Sequence, residues 1–196
     1  MRRITRVSVP KAVSDADVLI KLCRAGHLNL LFRTIDRVYV PAYVFSEARY
    51  VLARHACRPL LDQAGKDGLF TVVDTVQGDG LTPDQRQGMA ITRQSFRFML
   101  DPGELEALAL AVEFGIPYIL SDDRAARRTI EEHSDVRVLR HPDLLYICQY
   151  NAEAYCKDIK RIFRDIQAGE SHRLGGSFQD IMRRSRERVK ELGLRK

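Results

Sequence analysis

Short runs rich in β-branched residues alternate with helical patterns along this chain, and this alternation limits the fold more than any other feature of the sequence. The runs predict five strands, because they are brief, apolar and bounded by turn residues. The predicted strands cover residues 6–13, 37–40, 69–73, 117–120 and 136–139. Since helices separate them, the strands are expected to form a parallel sheet that is covered on both faces.

Helical spacing of apolar residues predicts the intervening segments and the end of the chain. The expected helices start after Asp17 and Pro41, with short ones near residues 28–32 and 59–63. Further helices are predicted over residues 84–98, 101–114, 124–132, 142–150, 153–167 and 178–192. A Gly- and Ser-rich link over residues 169–177 is expected to be mobile.

Composition excludes several classes of protein. The 196 residues are 45% hydrophobic and 30% charged, which is typical of a globular protein, and no apolar run is long enough to cross a bilayer. The basic N-terminus is interrupted by Pro10 and Lys11 before a signal sequence can form. The four cysteines lack Cys-x-x-Cys spacing, so no zinc framework is expected. We therefore expect a cytoplasmic protein with no membrane contact.

The positive charge is concentrated in the C-terminal quarter. Residues 1–150 hold 20 Lys+Arg and 19 Asp+Glu, whereas residues 151–196 hold 12 and 7, which accounts for most of the net charge of +6. Such segregation suits a polyanion such as nucleic acid, although a solvated helix face is the alternative. The last helix is expected to dock by its apolar stripe, on the domain or on a second subunit, and to leave Arg183 and Arg184 free for phosphates.

Two pairs of acids follow predicted strands. Asp15 and Asp17 come after the first strand, and Asp122 and Asp123 come after the strand that ends at residue 120. In parallel sheets ligands bind beyond the carboxyl ends of the strands, so both pairs are expected to face one crevice. The alternative is that these acids only cap the helices that follow.

A third acidic group opens the most apolar helix. Asp101 and Glu104 have the spacing of a capping box, with Pro102 at the first helical position. The helix beyond them is apolar on nearly every side and should be buried, which places Glu104 and Glu106 near the interior. Buried carboxylates are unfavourable unless they are paired, and a bound cation would relieve that cost.

Four blocks of this sequence resemble a PIN domain, in a prokaryotic subgroup related to VapC-like toxins. They are Val-Ser-Asp15-Ala-Asp17-Val-Leu-Ile, Val-Pro41-Ala-Tyr-Val-Phe-Ser-Glu47, Leu-Asp101-Pro-Gly-Glu104-Leu-Glu106-Ala-Leu-Ala-Leu-Ala and Ile-Leu-Ser121-Asp122-Asp123-Arg-Ala-Ala-Arg-Arg. The resemblance covers about residues 5–145 and implies a three-layer α/β/α fold with a short parallel sheet. It places a nuclease domain at residues 1–145 and a basic helical extension at residues 146–196. Residues 76–98 and the extension depart from the usual domain, so the resemblance does not identify the substrate.

The resemblance also implies a divalent-metal site that cleaves RNA. The implied ligands are Asp15, Glu47, Glu104 and Asp123. Asp17 would add a ligand or hold a metal-bound water, and Ser121 and Asp122 would support the site. Glu47 would otherwise be expected at the surface. Carboxylates without His or Cys favour Mg²⁺ or Mn²⁺ over Zn²⁺. Arg124, Arg127 and Arg128 would contact phosphates or form a solvated helix face, and an antitoxin partner and a homodimer are left open.

Two other functions are compatible with parts of the sequence. Asp15-x-Asp17 after a strand imitates the acids of haloacid-dehalogenase phosphatases, but no lysine lies in a suitable block before Asp122. The chain could instead be a non-catalytic PIN fold that binds RNA or protein through its basic tail. The presence of all four expected acids argues against this second alternative.

Overall fold

The computed structural model describes residues 7–76, 78, 80–151, 156–169 and 175–194. Five strands in these residues form a single sheet: β1 (Ala12–Ser14), β2 (Val38–Pro41), β3 (Thr71–Val73), β4 (Tyr118–Leu120) and β5 (Arg137–Leu139). Their order is β3-β2-β1-β4-β5, and every neighbouring pair is parallel. The short parallel sheet predicted from the sequence is therefore confirmed.

Helices surround this sheet at the predicted places. They are α1 (Ala16–Arg24), α2 (Leu30–Thr34), α3 (Ala42–Val51), α4 (Arg58–Lys66), α5 (Pro83–Phe96), α6 (Pro102–Glu113), α7 (Arg124–His133), α8 (His141–Tyr150), α9 (Cys156–Ala168) and α10 (Phe178–Glu191).

Successive strand residues point to opposite faces of the sheet, and each face has its own core. Ala12, Val40 and Leu120 pack with apolar residues of α1–α4 and α8–α10. Val13 and Ile119 pack on the other face with residues of α5, α6 and α7. The arrangement is the predicted three-layer α/β/α fold.

The order in which strands are added to the sheet reverses at β1, although all the strands are parallel. The strands β2 and β3 lie on one side of it, and β4 and β5 lie on the other. The backbone N–H of Asp15 donates to the carbonyl of Leu120 at 3.0 Å, so the ends of β1 and β4 are held together. A crevice at the carboxyl ends of β1 and β4 is the position at which open parallel sheets bind ligands.

The C-terminal helices pack on the same core as the sheet. α10 buries Ile181, Met182 and Val189, which confirms that this helix docks on the domain by its apolar stripe. The predicted boundary between residues 145 and 146 lies inside α8, and the division into two units stays a prediction. Most of the link predicted to be mobile, residues 170–174, lies outside the described residues. In the described part of the chain, no helix combines the length and the apolar character that a membrane span requires.

Candidate functional site

Acidic side chains from four helices meet at the carboxyl end of the sheet. Asp15 caps the start of α1, Asp101 caps α6 and Asp123 caps α7. The remaining members of this acidic cluster are Asp17 on α1, Glu47 on α3 and Glu104 on α6. Asp15 and Glu104 are buried and form its floor, whereas Glu47 and Asp123 are exposed at its mouth. The structure thus brings together all four acids implied to be ligands, with Asp17 and Asp101 beside them.

Three of these carboxylates bring an oxygen close to Gly103. A Cβ atom on Gly103 would lie 3.0 Å from Glu47 Oε2, 3.4 Å from Asp15 Oδ1 and 3.5 Å from Asp101 Oδ1. Three carboxylate oxygens therefore pack against Gly103, and they can approach it this closely because residue 103 has no side chain.

The acids in this cluster cap helices as well as facing each other. Asp15 Oδ1 accepts from the N–H of Ala16, and Asp123 Oδ1 accepts from the N–H groups of Ala125 and Ala126. Asp101 and Glu104 form the predicted reciprocal capping box. An ionised carboxylate has about four acceptor positions, so these bonds leave acceptor capacity that faces the cluster. The capping interpretation and the ligand interpretation are therefore compatible.

Burial and mutual repulsion favour the protonated forms of these acids. Burial, with the nearby charges of Asp17, Asp101 and Glu104, raises the pKa of Asp15 to about 8, although the Ala16 N–H opposes this shift. Burial likewise raises the pKa of Glu104 to about 7, and it raises the pKa of Glu47. The charged neighbours that act on these three groups are acids, so the cluster has excess negative charge whenever it is ionised.

A divalent cation fits this cluster by chemistry. Among the described residues, no three His, Cys, Asp or Glu side chains are already spaced to coordinate a metal ion. The carboxylate oxygens around Gly103 nevertheless lie close together, and they are hard oxygen donors of the kind that Mg²⁺ and Mn²⁺ prefer. A cation there would offset the burial of charge, and the added repulsion between the acids, that raise the pKa of Asp15 and Glu104.

Two acids singled out from the sequence lie in other environments. Glu106 pairs with Arg93 of α5, with Nε to Oε1 at 2.6 Å, and accepts from the hydroxyl of Thr75 at 2.5 Å. Its counter-ion is therefore a guanidinium from the inserted segment over residues 76–98, and no metal is needed there. Asp122 turns away from the cluster and contacts Lys21 at 3.1 Å and His141 Nδ1 at 2.7 Å. The adjacent Ser121 accepts from the N–H of Asp123 at 3.2 Å, which helps to position Asp123.

The predicted phosphate-binding arginines do not all share one surface. Arg124, Arg127 and Arg128 of α7 line a groove together with Arg184 of α10. Arg183 lies outside this groove, where it is 3.8 Å from both Asp180 and Glu187.

Sequence reasoning missed two features of the cluster. Asp101 was interpreted only as a cap, yet its Oδ1 lies beside Asp15 and Glu47 around Gly103. Gly103 itself was not singled out, although its lack of a side chain lets three carboxylates approach it closely. The available signal was the Asp-Pro-Gly-Glu block, in which a glycine follows the helix-starting proline.

Comparison with known proteins agrees with this geometry. The family model described as DUF3368, a PIN domain, matches residues 11–174, which is most of the chain. No curated protein matches the sequence. PIN domains are usually nucleases that act on nucleic acids and generally use divalent metals. Because the match covers the sheet, the acidic cluster and α8, the chain belongs to the PIN-domain family.

Proposed function

We propose that this protein is a divalent-metal-dependent ribonuclease that hydrolyses RNA phosphodiesters at the acidic cluster. The proposed metal ligands are Asp15, Glu47, Glu104 and Asp123. The observation that carries the proposal is the meeting of acids from α1, α3, α6 and α7 at the carboxyl ends of β1 and β4, where oxygens of Asp15 and Glu47 pack against Gly103 and the charge of Asp123 acts on Glu104. The family supports a nuclease over a phosphatase, since the match is to a PIN domain.

Each residue of the cluster has a distinct part in this proposal. Mg²⁺ or Mn²⁺ would supply positive charge against the phosphate and make water a stronger nucleophile at neutral pH. Asp15 and Glu104 hold the cation from the buried floor, and Glu47 and Asp123 hold it from the exposed side. Asp17 adds a ligand or hydrogen-bonds a water, while Ser121 positions Asp123. The RNA contacts proposed from the sequence remain Arg124, Arg127, Arg128, Arg183 and Arg184.

A finer proposal concerns the biological role. The resemblance to VapC-like toxins supports a cytoplasmic toxin with an antitoxin partner, acting as a monomer or a homodimer. The basic C-terminal part, with its net charge of +5 over residues 151–196, supports a polyanionic substrate.

Purified protein is expected to cut single-stranded or structured RNA when Mg²⁺ or Mn²⁺ is added and to stop when a chelator is added. A phosphomonoester should remain intact under the same conditions, because the proposed site has no nucleophilic role for Asp15. Hydrolysis of the phosphomonoester would favour the haloacid-dehalogenase alternative. RNA binding without cleavage in any metal would favour the non-catalytic module.

The substitution Gly103→Ala is expected to reduce metal-dependent cleavage by at least about tenfold, comparable to the loss of a group that supports a metal ligand. The added methyl would lie 3.0 Å from Glu47 Oε2, where it would push the carboxylates apart. The fold should survive, because alanine is favoured over glycine in helices by up to about 1 kcal/mol.

Cleavage rates and melting temperatures with and without Mn²⁺ check this expectation. Gly65→Ala in α4 is the matched control, since its Cβ would meet neighbours only at the ordinary distance of 3.5 Å. Equal activity of the Gly103 and Gly65 variants would show that the volume around Gly103 is not part of the metal site.

A further inference from the structure

We propose that the groove between α7 and α10 holds the phosphates of the RNA strand beside the bond that is cut, without recognising its bases. This inference rests on the proposed function and names the binding surface that serves it. The groove has a volume of about 560 Å³ and is lined by Arg124, Arg127, Arg128, Arg140, Arg184 and Arg188.

The acids that line the groove do not balance these arginines. Glu131, Glu132 and Asp143 are its acidic lining residues, so arginines outnumber carboxylates by two to one. Glu131 serves two guanidiniums at once, because both Arg127 and Arg188 pair with it. Burial raises the pKa of Asp143, which lowers its capacity to act as a counter-ion. Arg140 and Arg188 also lie 3.8 Å from Asp122 and Glu191, which are outside the lining, so the excess positive charge of the groove is that of Arg124 and Arg184.

Several donors in the groove are left for a ligand. Arg124 is exposed and has no hydrogen bond or ion pair within the described part of the chain. Arg184 donates to the carbonyls of Gly175 and Asp180 and, in the same part of the chain, forms no ion pair with a carboxylate. Arg124 and Arg184 therefore carry positive charge that no carboxylate of the described residues neutralises, which suits an anionic ligand.

The position of the groove connects it to the acidic cluster. α7 begins directly after Asp123, so Arg124 is the next residue after a proposed metal ligand. Arg128 follows one helical turn later, about 6 Å along the axis. α10 completes the opposite wall with Arg184 and Arg188, and the pairing of Arg188 with Glu131 joins the two helices. A strand lying in this groove would lead directly into the acidic cluster.

The chemistry of the lining favours phosphate over base contacts. A guanidinium presents a planar fork of donors that matches phosphate oxygens in a bidentate manner. Among the described residues that line the groove, none has an aromatic ring on which bases could stack, and arginine is a usual partner of phosphate. Contacts to phosphates position a nucleic acid without reporting its sequence. An acidic protein segment could also pair with the arginines. The proposed RNA-cleaving site lies directly beside the groove, however, and this position favours RNA as the ligand.

The test compares single-stranded RNA binding by the full chain in the presence of a chelator, so that no cleavage occurs. The groove variants are Arg124→Gln, Arg184→Gln and the double variant. The matched controls are Arg186→Gln and Arg186→Gln/Lys190→Gln, which remove equal charge from exposed positions of α10 outside the groove. Fluorescence anisotropy gives the Kd at several salt concentrations, and thermal melting shows that each variant is folded.

Each groove substitution is expected to raise the Kd about tenfold, as the loss of a charge-assisted contact does. The slope of log K against log salt should fall by roughly 0.7 for each lost phosphate contact. Homopolymers of U, A and C should lose affinity by the same factor, and the controls should change the Kd less than about twofold, the range of surface substitutions.

Other results would overturn the proposal. Equal effects of groove and control variants would show that RNA is bound only by general charge attraction. Unchanged RNA binding together with weaker polyglutamate binding would assign the groove to an acidic protein. If the groove variants bind RNA more weakly but the parent protein cleaves no RNA in any metal, the proposed function is wrong and the groove proposal stands. If the parent protein cleaves RNA and the groove variants bind RNA as tightly as the parent, the groove proposal is wrong and the proposed function stands.

Discussion

Replacing Asp15 by asparagine is expected to lower the rate of metal-dependent RNA cleavage by more than about a hundredfold, beyond the loss seen when a residue supporting a metal ligand is changed. Asparagine has the same shape and keeps an oxygen for the N–H of Ala16, so α1 should retain its cap. The charge that would hold the cation is lost from the buried floor of the cluster. Asp123→Asn should remove activity in the same way. It should keep its fold, because asparagine retains an oxygen that accepts from the N–H groups of Ala125 and Ala126.

Asp15→Asn is also expected to be more stable than the parent at pH 8 when no metal is bound. Burial raises the pKa of Asp15 from 3.8 to about 8, so the folded state binds a proton that the unfolded state releases. The stability contributed by the protonated group is fully present below pH 3.8 and is lost as the pH rises through about 8. The parent should therefore lose more stability than Asp15→Asn across this window.

Melting temperatures measured between pH 5 and pH 8.5, with chelator or with Mn²⁺, check both effects in one series. Mn²⁺ at about a hundred times its Kd should stabilise the parent by about 2.7 kcal/mol, and Asp15→Asn should blunt this response. Asp135→Asn is the matched control, because Asp135 is an exposed acid before β5, away from the carboxyl end of the sheet. Full cleavage by Asp15→Asn, or a pH profile parallel to the parent, would show that Asp15 is not part of the site.

The fold was largely predictable because local patterns and topology agree. Strands and helices appear in the predicted order, and the parallel sheet follows from their alternation. The first strand is the main difference, since the prediction covered residues 6–13 and β1 is Ala12–Ser14. Pro10 has no N–H for a sheet ladder, so Val9 makes only an isolated bridge to Ile35 before regular pairing begins.

The location of the site was predictable, whereas the directions of its side chains were not. Strand ends in a parallel sheet share one edge, which is why Asp15 and Asp123 could be expected to meet. Glu47 has no local pattern that distinguishes it from a surface acid. Its approach to Gly103 depends on the packing of α3 against α6, which are far apart in the sequence.

The adjacent acids Asp122 and Asp123 show the same limit. Both follow β4, and nothing local indicates which one faces the crevice. Asp123 caps α7 and acts on Glu104, whereas Asp122 contacts Lys21 and His141. These partners of Asp122 lie 101 and 19 residues away in the chain, so only the tertiary structure separates the two acids.

The substitution Asp122→Asn is therefore expected to affect stability first, and to lower the free energy of unfolding by about 3 kcal/mol, as the loss of one partner from a buried ion pair does. The Asp122 side chain is only 4% exposed, and it accepts from the backbone N–H of His141 at 3.1 Å while lying 3.1 Å from Lys21 Nζ. Total stabilities of about 5–15 kcal/mol make such a loss large.

The pH dependence of this effect distinguishes it from that of Asp15. Burial alone would raise the pKa of Asp122, but contacts with His141, Lys21 and Arg140 outweigh it and hold the pKa well below its usual range. The stability from Asp122 is thus present above its unfolded pKa of 3.8 and is lost as the pH falls below that value. Urea unfolding at pH 5 should show the full deficit in Asp122→Asn, and the deficit should shrink in more acidic solution. At a temperature where the variant is folded, RNA cleavage should persist, whereas Asp123→Asn should be folded and inactive. A variant of Asp122 as stable as the parent, or stable and inactive, would place this acid in the catalytic cluster and overturn the separation of the two neighbours.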